Sequence, residues 1–143
     1  YRYDIVNSVI NSDDTNILRI SQRIDAVTKF IEENDQALSY FTRVNNLAKD
    51  KSLTEVNPDL LENDLEIKFY ETITGLDQGP FQNSEDYKDE LNLIADTKEV
   101  GNEYLDNTMI NVEDEAIKNN RLAMLNILAN RINKVFEVSE IVR

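Results

Sequence analysis

The chain has 143 residues, with 15 basic and 28 acidic side chains and a formal net charge of −13. It contains no cysteine and no histidine, which excludes a structural zinc site, a disulfide framework, a thiol nucleophile and a histidine-based catalytic triad. The three glycines lie too far apart to form a phosphate-cradling loop. A chain this acidic should be repelled by a phosphate backbone, so we expect no nucleic-acid partner.

A sustained heptad stripe over residues 16–49 predicts one long first helix of about 50 Å. Eight of the ten positions reached by alternate steps of three and four are apolar. These positions are Ile17, Ile20, Ile24, Val27, Ile31, Asn34, Leu38, Phe41, Asn45 and Ala48. The two asparagines fit either the lining of a ligand site or buried residues that set the register of packed helices. Residues 3–11 are also periodic, and residues 12–16 interrupt them as a kink or as a new helix start.

Three more helices are predicted further along the chain. Asn57 and Pro58 provide a cap and a first helical residue for the second helix, and Gly75 provides its end. The third helix is predicted to start at Ser84, where acidic residues follow in the first turn. The fourth helix is predicted to start near Asn111.

Four amphipathic helices joined by short connections predict an all-α fold. In this fold residues 1–143 form a single domain, an antiparallel (up-down-up-down) four-helix bundle with a long first helix. The alternative is a three-helix arrangement in which the third and fourth helices merge through residues 106–112.

The excess negative charge lies in the middle of the chain. Residues 1–50 carry 6 basic and 8 acidic side chains, residues 51–110 carry 4 and 15, and residues 111–143 carry 5 and 5. The second and third helices would therefore repel those of a second copy. Any dimer should form through the near-neutral first and fourth helices.

The chain begins at Tyr1 and ends at Arg143 within helical patterns, as if both helices continued outward. With its long first helix, acidic middle helices and strong last helix, the arrangement resembles the sensor domain of bacterial methyl-accepting chemotaxis receptors and related sensor histidine kinases. The resemblance implies a periplasmic (extracytoplasmic) ligand-sensing domain of an inner-membrane protein, cut from a longer transmembrane receptor. Such a domain signals by a helix displacement, with no enzymatic activity and no cofactor.

The resemblance also implies a ligand site near the membrane-distal end of the first and fourth helices, in a homodimer formed by these helices. The ligand would be a small polar molecule, such as a carboxylate, or a periplasmic binding protein. Arg43 and Arg121 are the candidates for pairing with a carboxylate, because a planar guanidinium can bind one through two hydrogen bonds. Tyr40, Asn45 and Asn120 are neighbouring candidates. The alternative is that the two arginines are surface charges that offset the acidity of the chain.

No metal site is expected from the carboxylates. Glu113, Asp114 and Glu115 lack the alternate spacing and central glycine of an EF-hand loop. A carboxylate-bridged di-iron bundle normally needs histidine ligands, which the chain lacks.

A second function stays open beside the sensor. The chain would then be a helical-bundle protein–protein interaction module of a larger protein. A groove between its helices would bind an amphipathic partner helix and no small ligand.

Overall fold

The structure is all-α throughout the residues that it describes, as the sequence predicts. The computed structural model describes residues 2–11, 19–49, 52–76 and 84–141. These ranges contain seven α-helices and no β-strand. The α-helices are α1 (Tyr3–Ile10), α2 (Ile20–Glu33), α3 (Asp35–Leu47), α4 (Asp64–Thr74), α5 (Ser84–Ala95), α6 (Lys98–Asn107) and α7 (Glu115–Asn133). Short 3₁₀ turns lie at Pro58–Leu60, before α4, and at Val138–Glu140, after α7.

The predicted long first helix is two helices, because the chain breaks at Asn34. This residue has φ −136° and ψ 65°, which lies outside the helical region. Its side-chain amide is 3.5 Å from Asn92 Oδ1 on α5. The apolar stripe continues across the break because α2 and α3 both bury that face in the same core. The predicted interruption at residues 12–16 lies outside the described residues.

A side-chain cap sets the start of α4. Asn63 Oδ1 accepts a hydrogen bond from Glu66 N at 2.9 Å, so the helix begins at Asp64. Asn57 also caps as predicted, with its side chain accepting from Asp59 N, but it caps only the 3₁₀ turn that follows it.

The third predicted helix begins at Ser84, as expected, but it ends at Ala95 and α6 starts after Thr97. Asp114 caps α7 because its Oδ1 accepts hydrogen bonds from Ala116 N and Ile117 N at 3.0 and 3.3 Å, so α7 starts at Glu115 rather than near Asn111. Residues 108–114 are not helical. The alternative in which the third and fourth predicted helices merge is therefore wrong.

The helices bury one apolar core. The most extensive contacts join α2 to α5, α3 to α7, and α4 to α6, while α1 packs on α2 and on the 3₁₀ turn after α7. Stacked rings mark two points in this core, with centroids 5.4 Å apart for Phe30 and Phe41 and 4.4 Å apart for Phe69 and Tyr104. None of the helices in the described ranges is both long and apolar enough to span a bilayer. The up-down-up-down order of a four-helix bundle stays a prediction.

The last helix differs from the others because many of its buried side chains are polar. Asn120, Arg121, Asn126 and Asn133 are at most 6% exposed. Asn126 Nδ2 donates to the carbonyl oxygens of Lys49 and Leu53, at 2.9 and 2.8 Å. Asn133 Nδ2 donates to the Asn45 side chain at 3.0 Å, and its Oδ1 accepts from the backbone at residue 138. These side chains tie the connecting segments to α7.

We expect Asn126→Ala to lower the free energy of unfolding by about 2 kcal/mol, because it leaves two carbonyl groups without a hydrogen-bond donor and opens a small cavity. Urea denaturation of the chain measures this loss. Asn119→Ala is the matched control, since Asn119 is exposed on the same helix. Equal stability of the two variants would contradict the role of Asn126.

Candidate functional site

A surface pocket of about 350 Å³ lies between α3 and α6. All six lining residues carry a polar group, which distinguishes the pocket from the apolar core. The lining residues are Gln36, Ser39, Tyr40, Arg43, Lys98 and Asn102. Three come from the first two turns of α3, so the N-terminal part of α3 faces α6 across the pocket.

The wall of the pocket is fixed by close packing at Tyr40. The Tyr40 ring is 2% exposed, and its Oη lies 2.8 Å from Thr97 Oγ1. A Cβ atom added at Gly101 would lie 2.1 Å from Tyr40 Oη, so only glycine lets α6 approach this closely. Burial raises the pKa of Tyr40 to about 12, because the charged phenolate form is disfavoured away from water.

The rim of the pocket combines two cationic and two amide side chains. Arg43 Nη1 donates to Asn102 Oδ1 at 3.1 Å, and Arg43 Nη2 lies 2.8 Å from a carboxylate oxygen of Asp106. Lys98 Nζ donates to Gln36 Oε1 at 3.1 Å. Amides offer both donors and acceptors, and the guanidinium and ammonium groups attract anions. Such a rim can bind a flat polar group that has an anion beside it.

The structure brings together two of the five predicted site residues. Tyr40 and Arg43 line the pocket, whereas Arg121, Asn45 and Asn120 are not among its lining residues. The sequence analysis missed Gln36, Ser39, Lys98 and Asn102. Gly101 was a signal for Lys98 and Asn102, which lie beside it in the sequence. A glycine in the middle of a predicted helix, where no turn requires one, indicates a close approach to another element.

Arg121 and Asn120 are instead used inside the protein. Arg121 Nη1 donates to the Met109 carbonyl at 2.6 Å, and its Nη2 contacts Glu62 at 2.9 Å and Glu66 at 2.8 Å. Asn120 exchanges two hydrogen bonds with the backbone of Asn57, accepting at 2.7 Å and donating at 3.2 Å. The proposal of a ligand for these two residues stays untested.

No group of three or more carboxylate side chains in the described ranges is placed to hold a metal ion. The EF-hand alternative was already disfavoured by spacing. Asp114, one of the three acidic residues at the start of α7, acts as the helix cap.

The chain is similar to one part of a known enzyme subunit. It is 34% identical over 148 aligned residues to the glycine–tRNA ligase beta subunit of Halothermothrix orenii, covering 98% of this chain and 21% of that protein. The corresponding proteins of Psychromonas ingrahamii and Clostridioides difficile are 32% and 30% identical, over 97% and 99% of this chain and 21% of each of those proteins. The chain thus spans about one-fifth of the length of these curated relatives. No protein-family model matches it.

These relatives correct the functional predictions. The resemblance to a chemotaxis-receptor sensor domain is wrong, because the relatives are ligase subunits. The sensing function predicted from this resemblance is therefore also wrong. So are the predicted periplasmic location, the small polar ligand, the periplasmic binding protein and the receptor homodimer. The alternative of a ligand-free interaction module fits these relatives no better. The expectation of no enzymatic activity is overturned because the relatives are parts of an enzyme, and the expectation of no nucleic-acid partner because their name includes tRNA.

The errors have a physical cause. A heptad stripe reports which face of a helix is buried, and helical proteins of many functions share that pattern. Net charge is a sum over the whole chain, whereas binding depends on the side chains at one surface.

We expect Gly101→Ala to destabilise the chain by about 1–2 kcal/mol, although alanine is the better helix former. The new methyl group would overlap Tyr40 and push α6 away from α3. Urea denaturation measures the change, and Glu99→Ala, at an exposed position of α6, is the control. If Gly101→Ala were as stable as the unchanged chain, α3 and α6 would not pack as closely as described.

Proposed function

We propose that this chain is a helical part of a glycine–tRNA ligase beta subunit and that it contacts the tRNA. The observation that carries the proposal is the 34% identity to such a subunit over 98% of the chain. The name of these relatives states that they act on glycine and tRNA, and that they are one kind of subunit in a larger assembly. The chain would serve that reaction as a segment of the longer enzyme.

We propose the α3–α6 pocket as the point of contact. Proteins read RNA sequence mostly at unstacked, single-stranded nucleotides, through hydrogen bonds to base edges and contacts to phosphates. The amides of Gln36 and Asn102 supply donors and acceptors for a base edge, and Lys98 supplies positive charge for a phosphate. Arg43, whose charge is offset by Asp106, supplies further N–H donors. A volume of about 350 Å³ has room for one base.

The net charge of −13 limits what this contact can do. An acidic segment repels tRNA at long range, so it supplies little of the electrostatic affinity on which most nucleic-acid binding depends. We therefore propose that basic surface elsewhere in the longer enzyme holds the tRNA. The pocket would then add recognition at one nucleotide.

We propose a bundle-like scaffold of one domain for this contact. Four helical segments would form it. The first is α2 continued by α3, the second is α4, the third is α5 continued by α6, and the fourth is α7. They would follow one another in the antiparallel order that the sequence predicts. The packing of α2 on α5, of α3 on α7 and of α4 on α6 supports four helical segments around one core.

The pocket is tested by substitutions in the full-length ligase that contains this segment. We expect Asn102→Ala to raise the KM for tRNA by roughly 5- to 150-fold, since one good contact to a base is worth about 1–3 kcal/mol. Lys98→Ala should also raise the KM for tRNA, because it removes a phosphate contact. The KM for glycine should stay unchanged. Asn119→Ala and Lys29→Ala are the matched controls, because Asn119 is exposed and Lys29 pairs with Asp25 on α2.

The broader proposal has its own test. Replacing the matching fifth of the Halothermothrix orenii beta subunit by this chain should preserve the attachment of glycine to tRNA. Loss of activity in this chimera, with normal expression, would contradict the proposed function. An active chimera in which the pocket variants leave the KM for tRNA unchanged would contradict only the pocket.

A further inference from the structure

A buried polar cluster lies between α4, α6 and α7, away from the α3–α6 pocket. Glu66 on α4 and Tyr104 on α6 are 0% exposed, and the side chain of Arg121 on α7 is 7% exposed. Arg121 Nη2 donates to Glu66 Oε1 at 2.8 Å. The Tyr104 ring stacks on Phe69, which is one turn after Glu66.

Four buried polar atoms of this cluster have no hydrogen-bond partner among the described protein groups. They are Glu66 Oε2, Tyr104 Oη, Thr108 Oγ1 and Arg121 Nε. A buried polar atom without a partner costs about 1–3 kcal/mol, and native proteins usually satisfy such atoms with protein groups or ordered water. Four of them in one place therefore need a common explanation.

Three of these side chains lie close together, because Glu66 pairs with Arg121 and the Tyr104 ring stacks one turn away from Glu66. Burial raises the pKa of Tyr104, and the Glu66 charge raises it further while the Arg121 charge lowers it, so both ions lie close to the ring. Thr108 is the first residue after α6. It directly precedes Met109, whose carbonyl accepts from Arg121 Nη1 at 2.6 Å. The Arg121 guanidinium therefore contacts both Glu66 on α4 and the segment that follows α6.

We propose that this cluster is a buried water-binding site, in which at least one ordered water joins Glu66, Tyr104 and Arg121. The chemistry of the atoms selects the ligand. A metal ion cannot accept the hydrogen bond that Arg121 Nε offers, and an anion is repelled by the Glu66 carboxylate. Water can donate to Glu66 Oε2 and accept from Arg121 Nε or from a hydroxyl, and it fits a small enclosed space.

This site explains why a tyrosine stands at position 104, where a phenylalanine would pack as well against Phe69. The hydroxyl would be held by water next to a carboxylate, and hydrogen bonds to charged groups are stronger than those between neutral groups. The bound water would also connect the Tyr104 hydroxyl on α6 to the ion pair between α4 and α7.

Tyr104→Phe gives opposite results for a hydrated and for a dry cluster. If water binds the hydroxyl, its removal should lower the melting temperature of the chain by about 3 °C. If the hydroxyl is buried without a partner, Tyr104→Phe removes a penalty and the melting temperature should stay the same or rise, which would overturn the proposal. Tyr70→Phe is the control, because Tyr70 on α4 is only partly buried.

A direct observation separates water from a rearranged side chain. A high-resolution crystal structure of the chain should show an ordered water within hydrogen-bonding distance of Glu66 Oε2 and Tyr104 Oη. A direct hydrogen bond between these two atoms, with no water between α4, α6 and α7, would overturn the proposal even if Tyr104→Phe is destabilised. This measurement needs no variant to fold.

Discussion

The structure depends on the hydrogen bonds that the buried polar side chains of α7 make to the segments between helices. Asn120 binds the backbone before α4, Asn126 binds the segment after α3, and Asn133 binds the segment after α7 itself. Unpaired amides inside a protein would cost stability, so each is acceptable only where a backbone group meets it. Apolar residues at these positions could fill the same space, but they would not fix where the loops attach.

Two arginines of α7 are satisfied inside the protein in the same way, by carboxylates of other segments. Arg121 pairs with Glu62 and Glu66 of the middle region, and Arg131 makes a bidentate pair with the buried Glu90 on α5. Cationic side chains of the near-neutral residues 111–143 therefore pair with carboxylates of the acidic residues 51–110 within one molecule. The uneven distribution of charge along the chain predicted a dimer contact through the near-neutral helices. Some of these charges instead pair with one another inside the chain. Buried pairs of this kind contribute little net stability, and breaking one leaves an uncompensated charge inside the protein.

The sequence predicts much of the secondary structure, because apolar periodicity and capping residues act locally. The start at Ser84 and the all-α fold are confirmed. The break at Asn34 could not be seen, since one non-helical residue barely disturbs a stripe that both flanking helices bury. Tyr40 and Arg43 do share a pocket, but periodicity cannot show that Arg121 points inward to a carboxylate, because that depends on which helix packs beside it. Function was out of reach, since an all-α architecture carries no chemistry of its own.

The polar interior and the pocket are connected through α6. Near its first residue, α6 is fixed to α3 by the Tyr40–Thr97 hydrogen bond and by the close approach at Gly101. Beyond its last residue, Arg121 holds the Met109 carbonyl. Asn102, on the rim of the pocket, therefore sits on a short helix that is held at both ends. The ligand proposed for this pocket would therefore meet a rim that is already in place, so less conformational entropy would be lost on binding.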